Sequence, residues 1–117
     1  MTLTYNHVVV DQTNVDRIFA ALADATRRDI VTRVLTREAS VSTLARHYEM
    51  SFAAVQKHVA VLERAGLVTK RRQGREQLVR GDIETIRRAR ELLRQYEELW
   101  RGRVERMNDL LNRKEDS

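Results

Sequence analysis

Met50–Val68, MSFAAVQKHVAVLERAGLV, decides how the rest of the chain is read. Ser51 can cap a helix, because a serine hydroxyl accepts from a free backbone N–H of the first turn. Val55, Val59 and Leu62 recur at helical spacing and define an inward face. The opposite face holds Ala53, Lys57, Ala60 and Arg64, with Gln56 beside them. Gly66 is the stop, since glycine takes the left-handed C′ conformation without penalty. Two alanines on an outer face let the helix approach another surface closely. His58 borders the apolar side, where a packed, hydrogen-bonded histidine is expected rather than a ligand.

Upstream, Ser40 can cap a shorter helix with Val41, Leu44, Ala45 and Tyr48 on one face. Glu49-Met50 joins the two, which makes a helix-turn-helix. Before it, Asp24 caps a helix with Ile30, Val31, Val34 and Leu35 inward, ending near Thr36-Arg37. Asn14 caps a first helix carrying Val15, Ile18, Phe19 and Leu22. Residues 1–13 have no helical period and read as a loose arm. Downstream the period changes: Leu67–Gln73 and Arg75–Arg80 flank Gln73-Gly74, the pattern of a β-hairpin. Asp82 caps a last helix with Ile86, Ala89, Leu93, Tyr96, Trp100, Met107 and Leu110 close to a seven-residue repeat, broken at Arg103. Leu92, Leu99, Val104 and Leu111 widen that stripe. The expected architecture is mainly α with a small hairpin wing, a winged helix-turn-helix. It is one domain over 1–117, with a body at 14–80 and a long C-terminal dimerisation helix at 82–114.

The net charge is +5, and its placement matters more than its size. Residues 1–50 hold six Arg and six acids, and residues 81–117 hold nine basic and nine acidic side chains. Residues 51–80 hold seven basic side chains against Glu63 and Glu76. The whole excess sits on the second helix of the pair and the hairpin, the footprint expected for a polyanion. Gln56 can bond bidentately to adenine, and Lys57 can donate to guanine or phosphate. Phe52 either meets a thymine methyl or packs on the helix shoulder. Strand alternation puts Lys70 and Arg72 on one side of the hairpin and Arg71 on the other, so they cannot all touch one partner. Arg75, just after the turn glycine, is best placed to reach phosphate or the minor groove.

Composition excludes several classes. The chain has no cysteine, so disulfides, thiolate metal sites and cysteine nucleophiles are absent. No apolar run approaches the ~20 residues of a membrane span. The N-terminus does not read as a secretory signal, so a cytoplasmic location is expected. No nucleophile–base set or phosphate-cradling glycine loop is present, and no catalysis is expected. A protein-docking module is the other alternative, but a docking face would be apolar whereas this one is basic.

Three segments resemble the ArsR family of transcriptional regulators. These are Phe19–Val31 (FAALADATRRDIV), Met50–Val68, and Arg71–Val79 (RRQGREQLV). The resemblance implies a homodimeric winged helix that represses transcription, often in response to a metal or another signal. It places Ser51, Phe52, Ala53, Gln56 and Lys57 where the family contacts DNA. Ala25 and Ala53 stand where proline is usual or common, a departure without consequence because proline at a helix start is optional. The family's sensor cysteines near the third helix are replaced by Ser42-Thr43-Leu44-Ala45, and residues 82–117 contain no histidine. No metal and no cofactor are therefore expected.

The combined expectation is a repressor of its own operon that binds an inverted repeat of double-stranded DNA. The reading elements are helix 51–65 and basic wing 68–80, with Arg72 and Arg75 as further contacts. Ile18, Leu22, Leu93, Tyr96, Trp100 and Met107 are expected to form the dimer interface. Any small-molecule effector would find its natural pocket near Tyr96 and Trp100.

Overall fold

The computed structural model describes residues 2–5 and 8–115, with side chains described for 14–113. Two strands open the chain, β1 (Thr2–Tyr5) and β2 (Val8–Asp11), paired antiparallel with Tyr5 opposite Val8. The loose arm expected over 1–13 is thus corrected: Thr2, Thr4, Tyr5 and Val8–Val10 are β-branched or aromatic, and such residues favour a pleated ribbon. The first helix, α1 (Gln12–Leu22), starts two residues before Asn14, which lies inside it rather than capping it.

α2 (Ala25–Thr36) begins at its expected cap. Asp24 Oδ1 accepts from Arg27 N at 3.0 Å, and that bond holds the Asp24 carboxyl below its usual range. The last carbonyls of α1 lack intrahelical partners. Arg27 Nε donates to Ala21 O at 2.7 Å, Arg27 Nη2 to Ala20 O at 3.2 Å, and Arg28 Nη1 to Leu22 O at 2.8 Å. Two cations at a helix C-terminus also match the sign of its dipole.

β3 (Ala39–Ser40) leads into α3 (Val41–Ala45), capped by Ser40 Oγ, which accepts from Thr43 N at 3.0 Å. α3 is shorter than expected: Tyr48 lies beyond it, in the connection to α4, and packs against the core from there. α4 (Phe52–Arg64) is capped by Ser51 Oγ on Ala54 N at 3.1 Å. Gly66 then turns the chain with φ +79. β4 (Val68–Gln73) and β5 (Glu76–Gly81) form the wing, and β3 joins on the other side of β5 to give the order β3-β5-β4. The third strand escaped the sequence reading.

The core gathers Ile18, Ile30, Leu44, Val55, Val59, Leu62, Leu67, Val68 and Val79, all fully buried. Two expectations fail here. Leu35 is 42% exposed, because it leaves the inner face of α2 and lies over Gly81 at the base of the wing. Ile18 is 0% exposed within its own chain, so it has no surface left for a second copy.

α5 (Ile83–Glu115) starts with Asp82 Oδ1 accepting from Glu84 N at 2.9 Å and runs uninterrupted across Gly102. Thr85, Ala89, Leu92 and Gln95 are its buried positions. Thr85 Oγ1 donates to Gly66 O at 2.6 Å, fastening the helix to the corner between α4 and β4. Beyond Gln95 the helix leaves the body, and Leu99, Trp100, Val104, Met107, Leu110 and Leu111 are exposed in the single chain.

Candidate nucleic-acid interface

α4 is fixed on its inner side by Val55, Val59 and Leu62, which lie in the core. That packing turns Ala53, Gln56, Lys57 and Arg64 outward, all exposed. Gln56 and Lys57 have no hydrogen-bond or ion-pair partner among the described residues, so their donors and acceptors face solvent. Phe52 is the first residue of α4 and is 47% exposed, which leaves half of its ring available to a partner. His58 is packed: its Nδ1 lies 3.3 Å from Arg27 Nη1 and 4.0 Å from Asp24 Oδ1. It braces α4 against the start of α2.

The wing turns through Gly74-Arg75, with Gln73 opposite Glu76. Gly74 has φ +61, as the first position of a two-residue hairpin turn of the primed type requires. Its cations divide by strand face. Lys70 Nζ lies 3.4 Å from Glu63 Oε1 on α4, and Arg71 Nη2 donates to Glu38 Oε1 at 2.7 Å. Both are therefore engaged inside the molecule. Arg72 and Arg75 are exposed, with Arg72 Nε donating to the Gly74 carbonyl at 3.3 Å. Nothing local in the sequence foretold the roles of Glu38 and Glu63, because Arg71 and Glu38 are 33 positions apart.

The helix-turn-helix is closed by a connection longer than Glu49-Met50, spanning residues 46–51. Tyr48 in that connection is anchored to α2 through Asp29. A groove of about 670 Å³ opens nearby between α2, α3 and the sheet, lined by Arg33, Arg37, Leu44, His47 and Leu78 among others. Tyr96 and Trp100 stand on the open side of α5 instead, 52% and 61% exposed, with Arg103 Cζ 5.5 Å from the Trp100 ring centroid.

A helix-turn-helix domain family model matches residues 22–71, from the end of α1 into β4. The chain is 42% identical over 69 residues to YuzN, an uncharacterized HTH-type transcriptional regulator of Bacillus subtilis, covering 53% of this chain and 75% of that one. Its fold matches the crystal structure of an ArsR family transcriptional regulator with a TM-score of 0.75 at 32% identity, over 79% of this chain and 95% of the other. The chain belongs to the ArsR family.

A further ArsR-type match is a homodimeric winged helix-turn-helix DNA-binding domain from Mycobacterium bovis, with a TM-score of 0.60 and 25% identity over 74% of this chain and 81% of that one. Membership makes this ArsR-family chain a transcriptional regulator with a helix-turn-helix DNA-binding domain, and the matched residues take in α2, α3 and α4. No helix among the described residues is long and apolar enough to cross a membrane.

Proposed function

We propose that the chain is a homodimeric cytoplasmic repressor of its own operon, binding an inverted repeat with α4 in the major groove and the wing alongside. One observation carries the reading. The partner-free Gln56 and Lys57 of α4 stand beside Ser51, Phe52 and Ala53 on an open helix start, while the wing offers Arg72 and Arg75 outward. Residues near a recognition helix's start meet base edges, and wing cations meet the backbone. The dimer rests on the exposed stripe of α5, Leu93, Tyr96, Trp100 and Met107, together with Phe19 and Leu22 of α1. The homodimeric relative from Mycobacterium bovis supports a dimer, though not a particular interface. The missing cysteines and the histidine-free segment 82–117 support a regulator that does not answer to metals and does no catalysis.

Binding to duplex fragments from upstream of the chain's own gene, measured over a range of salt, tests this. Neutralising Z phosphates gives a log–log slope of about −0.9Z, so Lys57, Arg72 and Arg75 from two subunits give roughly −5. Arg75→Ala should weaken all duplexes alike and flatten the slope. Gln56→Ala should cost about 1–3 kcal/mol at particular base pairs. Binding that ignores salt, or no binding to any duplex, refutes the reading.

A further inference from the structure

We propose that Arg17, Arg27 and Arg64 form a pocket for a phosphodiester of the operator backbone, an inference that rests on α4 lying in the major groove. The three guanidinium groups come from α1, α2 and α4 and line one pocket of about 210 Å³, floored by Ala21, Val61 and Ala65. No acidic side chain is among its lining residues. Arg27 is held in place by the Ala20 and Ala21 carbonyls and lies against the His58 ring, and its guanidinium forms no hydrogen bond to a carboxylate. Asp24 is close, but it accepts from the backbone N–H of Arg27 rather than from its guanidinium. Arg17 and Arg64 are exposed and have no hydrogen-bond or ion-pair partner among the described residues. Three like charges around so small a space repel one another, and a bound oxyanion reverses the sign of that interaction. Guanidinium forks match the paired oxygens of a phosphate.

Position selects the source of the phosphate. Arg64 is seven residues beyond Lys57, so it lies on the same face of α4, about 10 Å further along the axis. The major groove is about 12 Å wide. A side chain that far from a base-reading lysine reaches the rim of the groove, where the phosphates are. Glu63, ion-paired with Lys70 of the wing, and Val61, in the pocket floor, are two residues apart on α4 and so on opposite flanks. The wing cations therefore stand on one side of the reading helix and the arginine pocket on the other. The arginine side of the pocket points away from Phe19 on the dimer face, since Arg17 is about half a turn round α1 from it.

The test compares wild type with Arg17→Gln/Arg64→Gln; Arg27 is left alone because it holds the end of α1. With one further phosphate per subunit at about 0.9 each, the pocket steepens the slope of roughly −5 to about −7, and the double variant should flatten it by about 2. Affinity should fall by the same factor on operator and random duplex. The matching Arg17→Lys/Arg64→Lys protein should keep the slope, which separates charge from misfolding. Ethylation of single operator phosphates should weaken wild type at one position per half-site beyond those facing the wing and leave the glutamine variant indifferent there. An unchanged slope in a double variant that melts like wild type overturns the pocket, and the α4 reading survives if Gln56→Ala still loses base-pair preference. If wild type binds no duplex at all, the α4 reading falls and the pocket with it. Saturable displacement of the Val61 methyl resonances by inorganic phosphate, with no slope change in the variant, assigns the site to a free anion and also overturns the proposal.

Discussion

Tyr48 Oη donates to Asp29 Oδ2 at 2.6 Å, tying the connection ahead of α4 to the middle of α2. Arg33 Nε donates to the same oxygen at 2.8 Å. Together the Tyr48 and Arg33 bonds hold the Asp29 carboxyl below its usual range. Burial, and then the bond to Asp29, push the Tyr48 phenol up to about 12. Stability from Asp29 is present above its unfolded pKa and is lost as pH falls through the lowered value. Stability from Tyr48 is present below its unfolded pKa near 10 and is lost as pH rises from there to about 12. Tyr48→Phe should cost about 1 kcal/mol at neutral pH and erase the alkaline loss. Thermal melts across the pH range check this; an alkaline limb unchanged in Tyr48→Phe contradicts it.

Gly81 gives a second stability prediction. A Cβ there would lie 2.7 Å from Leu35 Cδ2 and 3.0 Å from Leu35 Cα, so backbone must shift to admit it. Overpacking of this kind costs about 1–3 kcal/mol. Gly74, at the wing tip, faces open space, and its φ of +61 is the only obstacle to a side chain. Gly74→Ala should cost about 1 kcal/mol. Urea midpoints should therefore fall further for Gly81→Ala, and the reverse order would contradict the close approach of α2 to the wing.

Trp100→Ala and Ile18→Ala should part company. Trp100 is covered only by a second copy in the proposed dimer, and truncating a buried tryptophan costs about 3–5 kcal/mol. Its variant should sediment as a folded monomer at micromolar concentration and lose operator affinity. Ile18 belongs to the protomer's own core, and its truncation, at about 2–5 kcal/mol, should lower the melting temperature of the chain itself. A Trp100→Ala protein that stays fully dimeric sinks the proposed interface.

Operator affinity should not respond to zinc, nickel, cadmium or arsenite, nor to chelators. The basis is chemical: without thiolates, and without imidazoles in 82–117, soft or borderline metals lack the ligands they prefer. The exception to test is a site of carboxylates with His7, a residue that lies outside the described ones. A tenfold, chelator-reversible loss of affinity would show that such a site exists.

What the sequence made legible was local. Asp24, Ser40, Ser51 and Asp82 cap the helices they were expected to cap, because a cap needs only a side chain and a backbone N–H two or three residues on. Gly66 ends α4 for an equally local reason. Two failures are local, Asn14 inside α1 and the β1-β2 ribbon, and the others involve distance. β3 is two residues long and exists because Ala39 and Ser40 face Val79 and Leu78, a pairing no local pattern encodes. An apolar stripe on α1 announces burial without saying by which chain, and Ile18 turned out to be covered by its own. Lys70 and Arg71 count toward the basic segment in the sequence, and only the fold brings Glu63 and Glu38 beside them. Gln56 and Lys57 face outward because the core face of α4 is unambiguous, whereas Phe52, at its edge, allows two readings and is 47% exposed.

Ser40 belongs to two structures at once. Its hydroxyl caps α3, and its backbone pairs with Leu78 of the wing in a site only 5% exposed. The first helix of the reading pair and the wing are therefore stitched together at one buried residue, and neither can tilt without breaking a cap or a strand pair. Each reading head behaves as a stiff caliper jaw of fixed opening. In the proposed dimer, the variable left for evolution or an effector to adjust is the distance and angle between jaws. That quantity is set by α5, far from the bases. Changes in half-site spacing should thus map to the seam of the long helices, while changes in base preference map to the start of α4.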